Sequence, residues 1–494
     1  MKKRRSHLIN ILENTSRFLI LLLLPLIRAL FATQVGFYEW LSGAWFDLLV
    51  LGVIIALGVY GWYSYTYFVS KTGIHIQKGI FFRREWFLPF RNISVISVHS
   101  PWYYRPIKAV RVHADTDGGN PRESDFSITV NRELAAQLLE AAQRPLISQK
   151  SFRRTYIPRN LYITIFAVLT SNSLTGVLYL WATLSQAETV FGKSFRAELL
   201  DTFAELAEWQ SFGLPPVFVI LAYVVLGCWL VSFLKNMEAH LRFQTSRYGQ
   251  TLDIRSGLFS IRHYAVTVRR INFLTLRQSL FTKLFGLTSV FIHCTGYGKK
   301  QEELSVLFPS GLNREIQTNL KLLLPEIPFA KRQIKPKLCN LSRFLIPPLS
   351  LCLVVLAVGL LALYFISGFD RPIIFLLIIA EIPCLWWLAV KLFAFFHTGI
   401  GVSDEVVTIY YTFLYQVITC SIPKHKITKI ETQQTLFQLP TKCCDVWIHT
   451  WAEGTKRQKV LNLYLPEVLE LLSSDEFFHT HVIQIEQEKK KKKR

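Results

Sequence analysis

The residues in this chain best suited to chemistry are basic, and they recur. Arg83, Arg84 and Arg91 form one cluster, Arg262, Arg269 and Arg270 a second, and Lys424 and Lys426 a third. Guanidinium and ammonium groups gathered in this way take up phosphate or carboxylate. Near a negatively charged bilayer each contributes about 1 kcal/mol of attraction. The same residues also satisfy the rule that basic residues stay on the cytoplasmic side of membrane helices, so a binding role and plain topology both stand.

Nucleophilic and metal chemistry is not signalled. There is no G-x-x-x-x-G-K-[ST] loop, no G-x-S-x-G elbow and no H-E-x-x-H pair, so no enzyme activity is expected. The eight cysteines lack any C-x-x-C or Cys/His zinc spacing, so neither disulfides nor a bound metal is predicted. Vicinal Cys443 and Cys444 read as ordinary thiols. No cofactor is implied. His113, His293 and His449 recur in register at the ends of V-x-[VI]-H strings, and a structural role is expected of them. Two ionisable residues, Arg28 and Glu381, fall inside apolar runs, where charge is expensive and faces the bundle interior. They pair with each other or form part of a polar path. Lys391 lies close enough to a helix end to snorkel out.

These residues must be positioned by membrane segments. The 494 residues are 51% hydrophobic and only 18% charged, with mean hydropathy +0.29 and a formal net charge of +22. That excludes disordered, fibrous and disulfide-scaffold classes and points to a bilayer. Clear apolar runs long enough to span are Phe46–Tyr65, Pro215–Phe233, Phe344–Ile366 and Ile373–Phe396. Two interrupted ones are Phe18–Leu41, with Arg28, and Leu161–Leu184, with Ser171, Asn172 and Ser173. About six transmembrane helices in three hairpins are therefore predicted. Lys2–Arg5, the long segments after each hairpin and the Lys489–Arg494 tail are basic, whereas the short connections within hairpins are not. Both termini and the long segments are expected in the cytoplasm, in a multi-pass membrane protein. A signal-peptide reading of the first segment fails on its long spacer and the lack of an A-x-A site. Glu188–Trp209 reads as an amphipathic helix on the opposite surface.

The long segments repeat. Gly79–Ile93 overlays Gly257–Ile271 without a gap, and Phe413–Ile427 follows with Pro423 and Ile427 in the places of Pro89 and Ile93. Each copy then reaches its V-x-[VI]-H string: Val110–His113, Val290–His293 and Val446–His449. Asn131-Arg132-Glu133, Asn313-Arg314-Glu315 and Pro466-Glu467 each open a helical pattern. Within a copy the period is two, as in Ile93–Val98 and Thr251–Ile254, so short antiparallel strands closed by one helix are predicted. The organisation is 1–65 tail and hairpin, 66–150 module, 151–236 hairpin with the amphipathic segment, 237–330 module, 331–396 hairpin, 397–475 module and 476–494 basic tail. The fold class is α+β with membrane hairpins, each followed by a small β-sandwich or barrel and a helix.

The pattern G-[IL]-F-x(7)-P-x-x-x-I, then V-x-[VI], then a closing helix resembles the bacterial pleckstrin-homology (PH)-like domain. Threefold repetition of hairpin plus module, over about Phe18–Ser474, is similar to the YdbT-like membrane proteins. Thr267 replaces the proline in the second copy and Phe413 the glycine in the third. The resemblance implies a non-catalytic scaffold or accessory protein of the bacterial inner membrane, connected with envelope stress or membrane homeostasis. Its modules would bind a protein partner or anionic lipid headgroups, and no nucleic acid. The rival reading is a transporter or lipid-handling protein with a polar path through Arg28 and Glu381.

Overall fold

A computed structural model describes residues 4–12, 15, 37–79, 82–116, 124–143, 154–171, 216–294, 305–366, 368, 370–413, 416–450 and 457–473. The first repeat runs β1 (Arg4–Arg5), α1 (Phe37–Ser64), β2 (Tyr65–Val69), β3 (Gly73–Lys78), β4 (Arg84–Pro89), β5 (Ile93–Ser100), β6 (Ala109–Thr116), β7 (Phe126–Asn131) and α2 (Arg132–Gln143). The second runs β8 (Arg154–Tyr156), α3 (Asn160–Thr170), α4 (Pro216–His240), β9 (Gln244–Tyr248), β10 (Thr251–Ser256), β11 (Ile261–Thr267), β12 (Ile271–Ser279), α5 (Leu280–Leu284), β13 (Leu287–Cys294), β14 (Val306–Leu312) and α6 (Asn313–Leu323). The third runs α7 (Leu341–Phe365), α8 (Asp370–His397), β15 (Gly399–Val402), β16 (Val406–Phe413), β17 (Gln416–Pro423), β18 (Ile427–Gln433), β19 (Cys443–Thr450), β20 (Arg457–Tyr464) and α9 (Leu465–Ser473).

Each module is thus a strand triplet, a one-turn 3-10 helix, a second triplet and a closing helix. The 3-10 turns are Phe90–Asn92, Val268–Arg270 and Lys424–Lys426, the same position in the three overlaid sequences. Gly79 and Gly257 turn the chain just before β4 and β11 with φ of +97° and +100°. A Cβ there would stand 2.2 Å from the Phe82 carbonyl oxygen and 2.1 Å from that of Ser260. Only glycine fits both the conformation and the space. Asn131 stands immediately before α2 as expected, but the opening of α6 differs from expectation. Asn313 is the first residue of α6 rather than its cap, Leu312 occupies the cap without a side-chain bond, and the Asn313 Oδ1 accepts from Gln317 at 3.4 Å.

The strand triplets do not stay within their own repeats. In one compact unit (Met1–Arg153, Ile163–Gln244 and Tyr248–Thr267) the sheet order is β7-β6-β5-β11-β10, so β5 of the first repeat pairs with β11 of the second. The register runs from Ile261↔Ser100 to Val266↔Val95. In the other unit (Arg154–Tyr162, Thr245–Arg247 and Val268–Arg494) the order is β14-β13-β12-β17-β16-β15, with Leu274↔Ser421 to Ser279↔Gln416 joining the second repeat to the third. An exposed sheet edge is a template for uncontrolled association, and here β5, β11, β12 and β17 satisfy one another's backbone groups. The chain passes from one unit to the other at the Val268–Arg270 turn, inside the second repeat.

The cores follow. In the first unit, Tyr67, Ile74 and Ile76 of β2–β3 face Val110, Val112 and Phe126 of β6–β7, closed by Leu138 of α2. In the second, Ile400, Val407 and Ile409 pack with Val446, Ile448 and Val460, closed by Val468 and Leu472 of α9. Phe273, from β12 of the second repeat, is fully buried in that same third-repeat core.

Against six predicted membrane crossings, two helices among the described residues are long and apolar enough to cross a bilayer: Leu338–Phe365 and Ile373–His397. A 25-residue helix rises about 38 Å, more than the roughly 30 Å hydrocarbon layer. Their large apolar side chains face outward, with Leu353 and Ile382 about 60% exposed, a surface that water does not tolerate at this extent. The two helices approach closely where Gly359 meets Leu377, at which a Cβ would lie 2.4 Å from Leu377 Cδ1. Helices α1 and α4 stand where two further runs were predicted. The 18–36 part of the first run, most of Leu161–Leu184, the Glu188–Trp209 segment and the Lys489–Arg494 tail lie outside the described residues.

Candidate functional site

The basic residues singled out from the sequence occupy unequal places. Arg83 and Arg84 flank the start of β4 and are exposed, as are Arg91 and Arg269 on their 3-10 turns. Arg270 and Lys426 are half-buried on equivalent turns. Lys424 departs from the expectation of a free surface cation: it is only 8% exposed, because its side chain turns inward at the end of β17. Arg262 lies within β11 opposite His99 and Ser256, in the sheet that joins two repeats, half-buried and with no hydrogen-bond partner for its Nε among the described residues. The turns give these cations a common position in each module but no single site.

Arg28 lies outside the described residues, so its pairing with Glu381 does too. Glu381 sits on α8 with Oε1 buried and without a hydrogen-bond partner among the described residues. Cys352 of α7 and Cys384 of α8 have their ligand-capable atoms within 4.8 Å of its own and of each other. The i, i+3 spacing of Glu381 and Cys384 was readable in the sequence. The partner from α7 was not. The three register-equivalent histidines meet different surroundings: His113 Nδ1 lies 3.3 Å from Ser124 Oγ, His449 Nε2 is 3.5 Å from Glu431, and His293 stacks on Phe273 at 4.2 Å.

A wide concavity opens where hairpin α7–α8 meets the shared sheet of the second and third repeats. It is a cavity of about 870 Å³. Phe273, Thr275 and Arg277 of β12 and His293 of β13 form one wall, Tyr411 and Ile418 of β16–β17 the next. Trp447, Arg457 and Lys459 of β19–β20 close the far side, and Leu351, Pro383, Cys384, Trp387 and Lys391 of the hairpin supply the apolar side. Pairing β12 with β17 is what makes the site: neither repeat alone owns its walls.

Its polar half is cationic. Arg277 lies 4.3 Å above the Phe291 ring, and its Nε has no hydrogen-bond partner among the described residues. No ion pair satisfies it among the described residues, and burial pulls its pKa below the usual range, with Tyr411 and Cys420 acting the other way. His293 is pushed down to about 3, by burial first and by the adjacent Arg277 second, so it is neutral at physiological pH. Its Nε2 is 3.1 Å from Thr275 Oγ1. Arg457 and Lys459 both rest over the Trp447 ring at 4.8 Å, and Lys459 pairs with Asp445 at 2.9 Å. Tyr411 donates to Gln458 Oε1 at 2.5 Å. Sequence reasoning missed this set. Its signal was present as alternation, since Phe273, Thr275 and Arg277, and Arg457, Lys459 and Leu461, each share one strand face.

Three copies of triplet, turn, triplet and helix, with the apolar hairpin α7–α8, define a membrane protein built of PH-like modules. The chain belongs to the bacterial PH domain family, which it matches over residues 19–145, 202–317 and 344–474. It is 21% identical over 312 residues to the UPF0699 transmembrane protein YdbT of Bacillus subtilis (strain 168). That match covers 57% of this chain and 61% of the relative, so it spans about three fifths of the relative's length. No solved structure matches. It is a YdbT-like membrane protein with repeated bacterial PH domains.

Proposed function

We propose that this chain is a non-catalytic scaffold of the inner membrane, whose PH-like modules lie on the cytoplasmic side against anionic lipid and present their surfaces to a protein partner. The observation that carries this reading is the pairing of β5 with β11 and of β12 with β17. Modules that share sheets hold their neighbours in register, which suits a fixed platform better than three independent domains on tethers. Exposed Arg83, Arg84, Arg91 and Arg269 supply the charge for the leaflet. A role in envelope stress or membrane homeostasis extends the family resemblance.

Because a single module cannot be cut out without severing a sheet, the test uses the full chain, reconstituted in nanodiscs of neutral or anionic lipid and followed by hydrogen exchange. Anionic discs are expected to slow exchange at the Phe90–Asn92 and Val268–Arg270 turns, with the protection fading as salt rises. Identical exchange in both lipids would overturn the surface contact. A second reading, lipid handling, is favoured by the cavity at the mouth of hairpin α7–α8.

A further inference from the structure

The cavity has two chemically distinct halves, and their arrangement selects an occupant. Arg277, Arg457 and Lys459 line the sheet side and Lys391 of α8 adds a further cation, while no carboxylate is among the described lining residues. Asp445 offsets one of these charges through Lys459. Arg277 is the telling member. A half-buried guanidinium that rests on an aromatic face, with its Nε lacking a hydrogen-bond partner among the described residues, carries a desolvation cost that an anion would relieve. The opposite wall is hydrocarbon-like: Leu351, Pro383 and Trp387 belong to helices whose outer faces are exposed and apolar.

Size argues in the same direction. About 870 Å³ corresponds to roughly thirty water molecules at about 30 Å³ each. A lone phosphate would leave most of that space as water against an apolar wall. An amphiphile fills both halves and lets its chains leave along the hairpin into the bilayer.

We propose that this cavity seats one anionic diacyl phospholipid, with its phosphate held by Arg277 and Arg457 and its acyl chains running out along Leu351 and Trp387. The assignment needs hairpin α7–α8 to span the bilayer and does not depend on the modules acting as a scaffold. Lys459 and Lys391 add charge at the rim. Thr275 and neutral His293 offer hydrogen bonds to the glycerol portion.

The test is native mass spectrometry of the full chain in mild detergent, titrated with phosphatidylglycerol, phosphatidylcholine or glycerol 1-phosphate. One phosphatidylglycerol per chain is expected to bind at least tenfold more tightly than phosphatidylcholine, with glycerol 1-phosphate not binding at the same concentration. Arg277→Gln with Arg457→Gln should weaken phosphatidylglycerol at least tenfold, as loss of a charge-assisted hydrogen bond does. Arg277→Lys should stay within a few-fold of wild type, which separates lost charge from lost fold. Arg83→Gln with Arg84→Gln should leave the bound lipid unchanged even where it weakens contact with the leaflet, so the two proposals fail separately. As an independent readout, phosphatidylglycerol with brominated acyl chains should quench tryptophan fluorescence in wild type and less in Trp387→Phe. Equal affinity for both lipids, an unaffected double variant, or saturation by glycerol 1-phosphate alone would overturn the assignment.

Discussion

Replacing Phe273 by alanine tests the shared sheet directly. Phe273 belongs to β12 in the second repeat, yet it is 0% exposed and packs within the core of the third, among residues such as Ile409, Cys420 and Ile448. Phe→Ala in a well-packed core costs about 3–5 kcal/mol, from lost transfer energy and the cavity left behind. At about 4 kcal/mol the population of the locally open state rises roughly a thousandfold. Hydrogen exchange on the full chain in detergent reads this as faster exchange in β18–β20 and α9, far along the chain from the substitution. Phe308→Ala is the control. It too is fully buried, but it packs against Tyr156 at 4.7 Å rather than in the third-repeat core. Its effect should remain in β12–β14 and α6. If Phe273→Ala accelerates exchange only in the second repeat, the two modules do not share a core and the reasoning fails.

His293 gives a pH prediction. It stays neutral in the folded chain down to about 3, whereas the unfolded residue takes up a proton near 6.5. The unfolded state therefore binds more protons between those values, and the stability is full above pH 6.5 and lost as pH falls toward 3. From pH 7 to pH 5 the difference between wild type and His293→Gln should shift by about 2 kcal/mol against wild type, read from paired denaturation curves. Gly257→Ala forces a Cβ to 2.1 Å from the Ser260 carbonyl at φ +100°, and should cost about 1–3 kcal/mol; an unchanged Tm would rule out the turn as drawn. Glu381→Leu removes an unpaired buried carboxyl oxygen and should leave the Tm equal or higher. A fall of several degrees would mean that the carboxylate has a stabilising partner.

Much of the local plan is written in short-range pattern. Gly79 and Gly257 mark their turns because no other residue tolerates that φ, and the V-x-[VI]-H strings are strands β6, β13 and β19 because branched residues two apart suit a pleated surface. Apolar length fixed hairpin α7–α8 in the same way. The repeat itself was legible because identical chemistry recurs at fixed spacing. Pairing across repeats was not. Nothing in the alternation of β5 says whether its open edge meets β11 or solvent, since backbone hydrogen bonds are the same for every sequence. Lys424 looked like a surface cation for a similar reason: residue type gives charge, but only packing at the end of β17 gives burial. The cavity lies furthest from the sequence, for Arg277, Trp387 and Arg457 come from segments whose meeting depends on β12 choosing β17. Strands, turns, the α7–α8 hairpin and the threefold order of the modules are properties of neighbours along the chain, and residue order alone sets them. Which edges pair, which cations are desolvated and where an amphipathic cavity opens emerge only in the folded chain, because those depend on atoms distant in sequence competing for the same space.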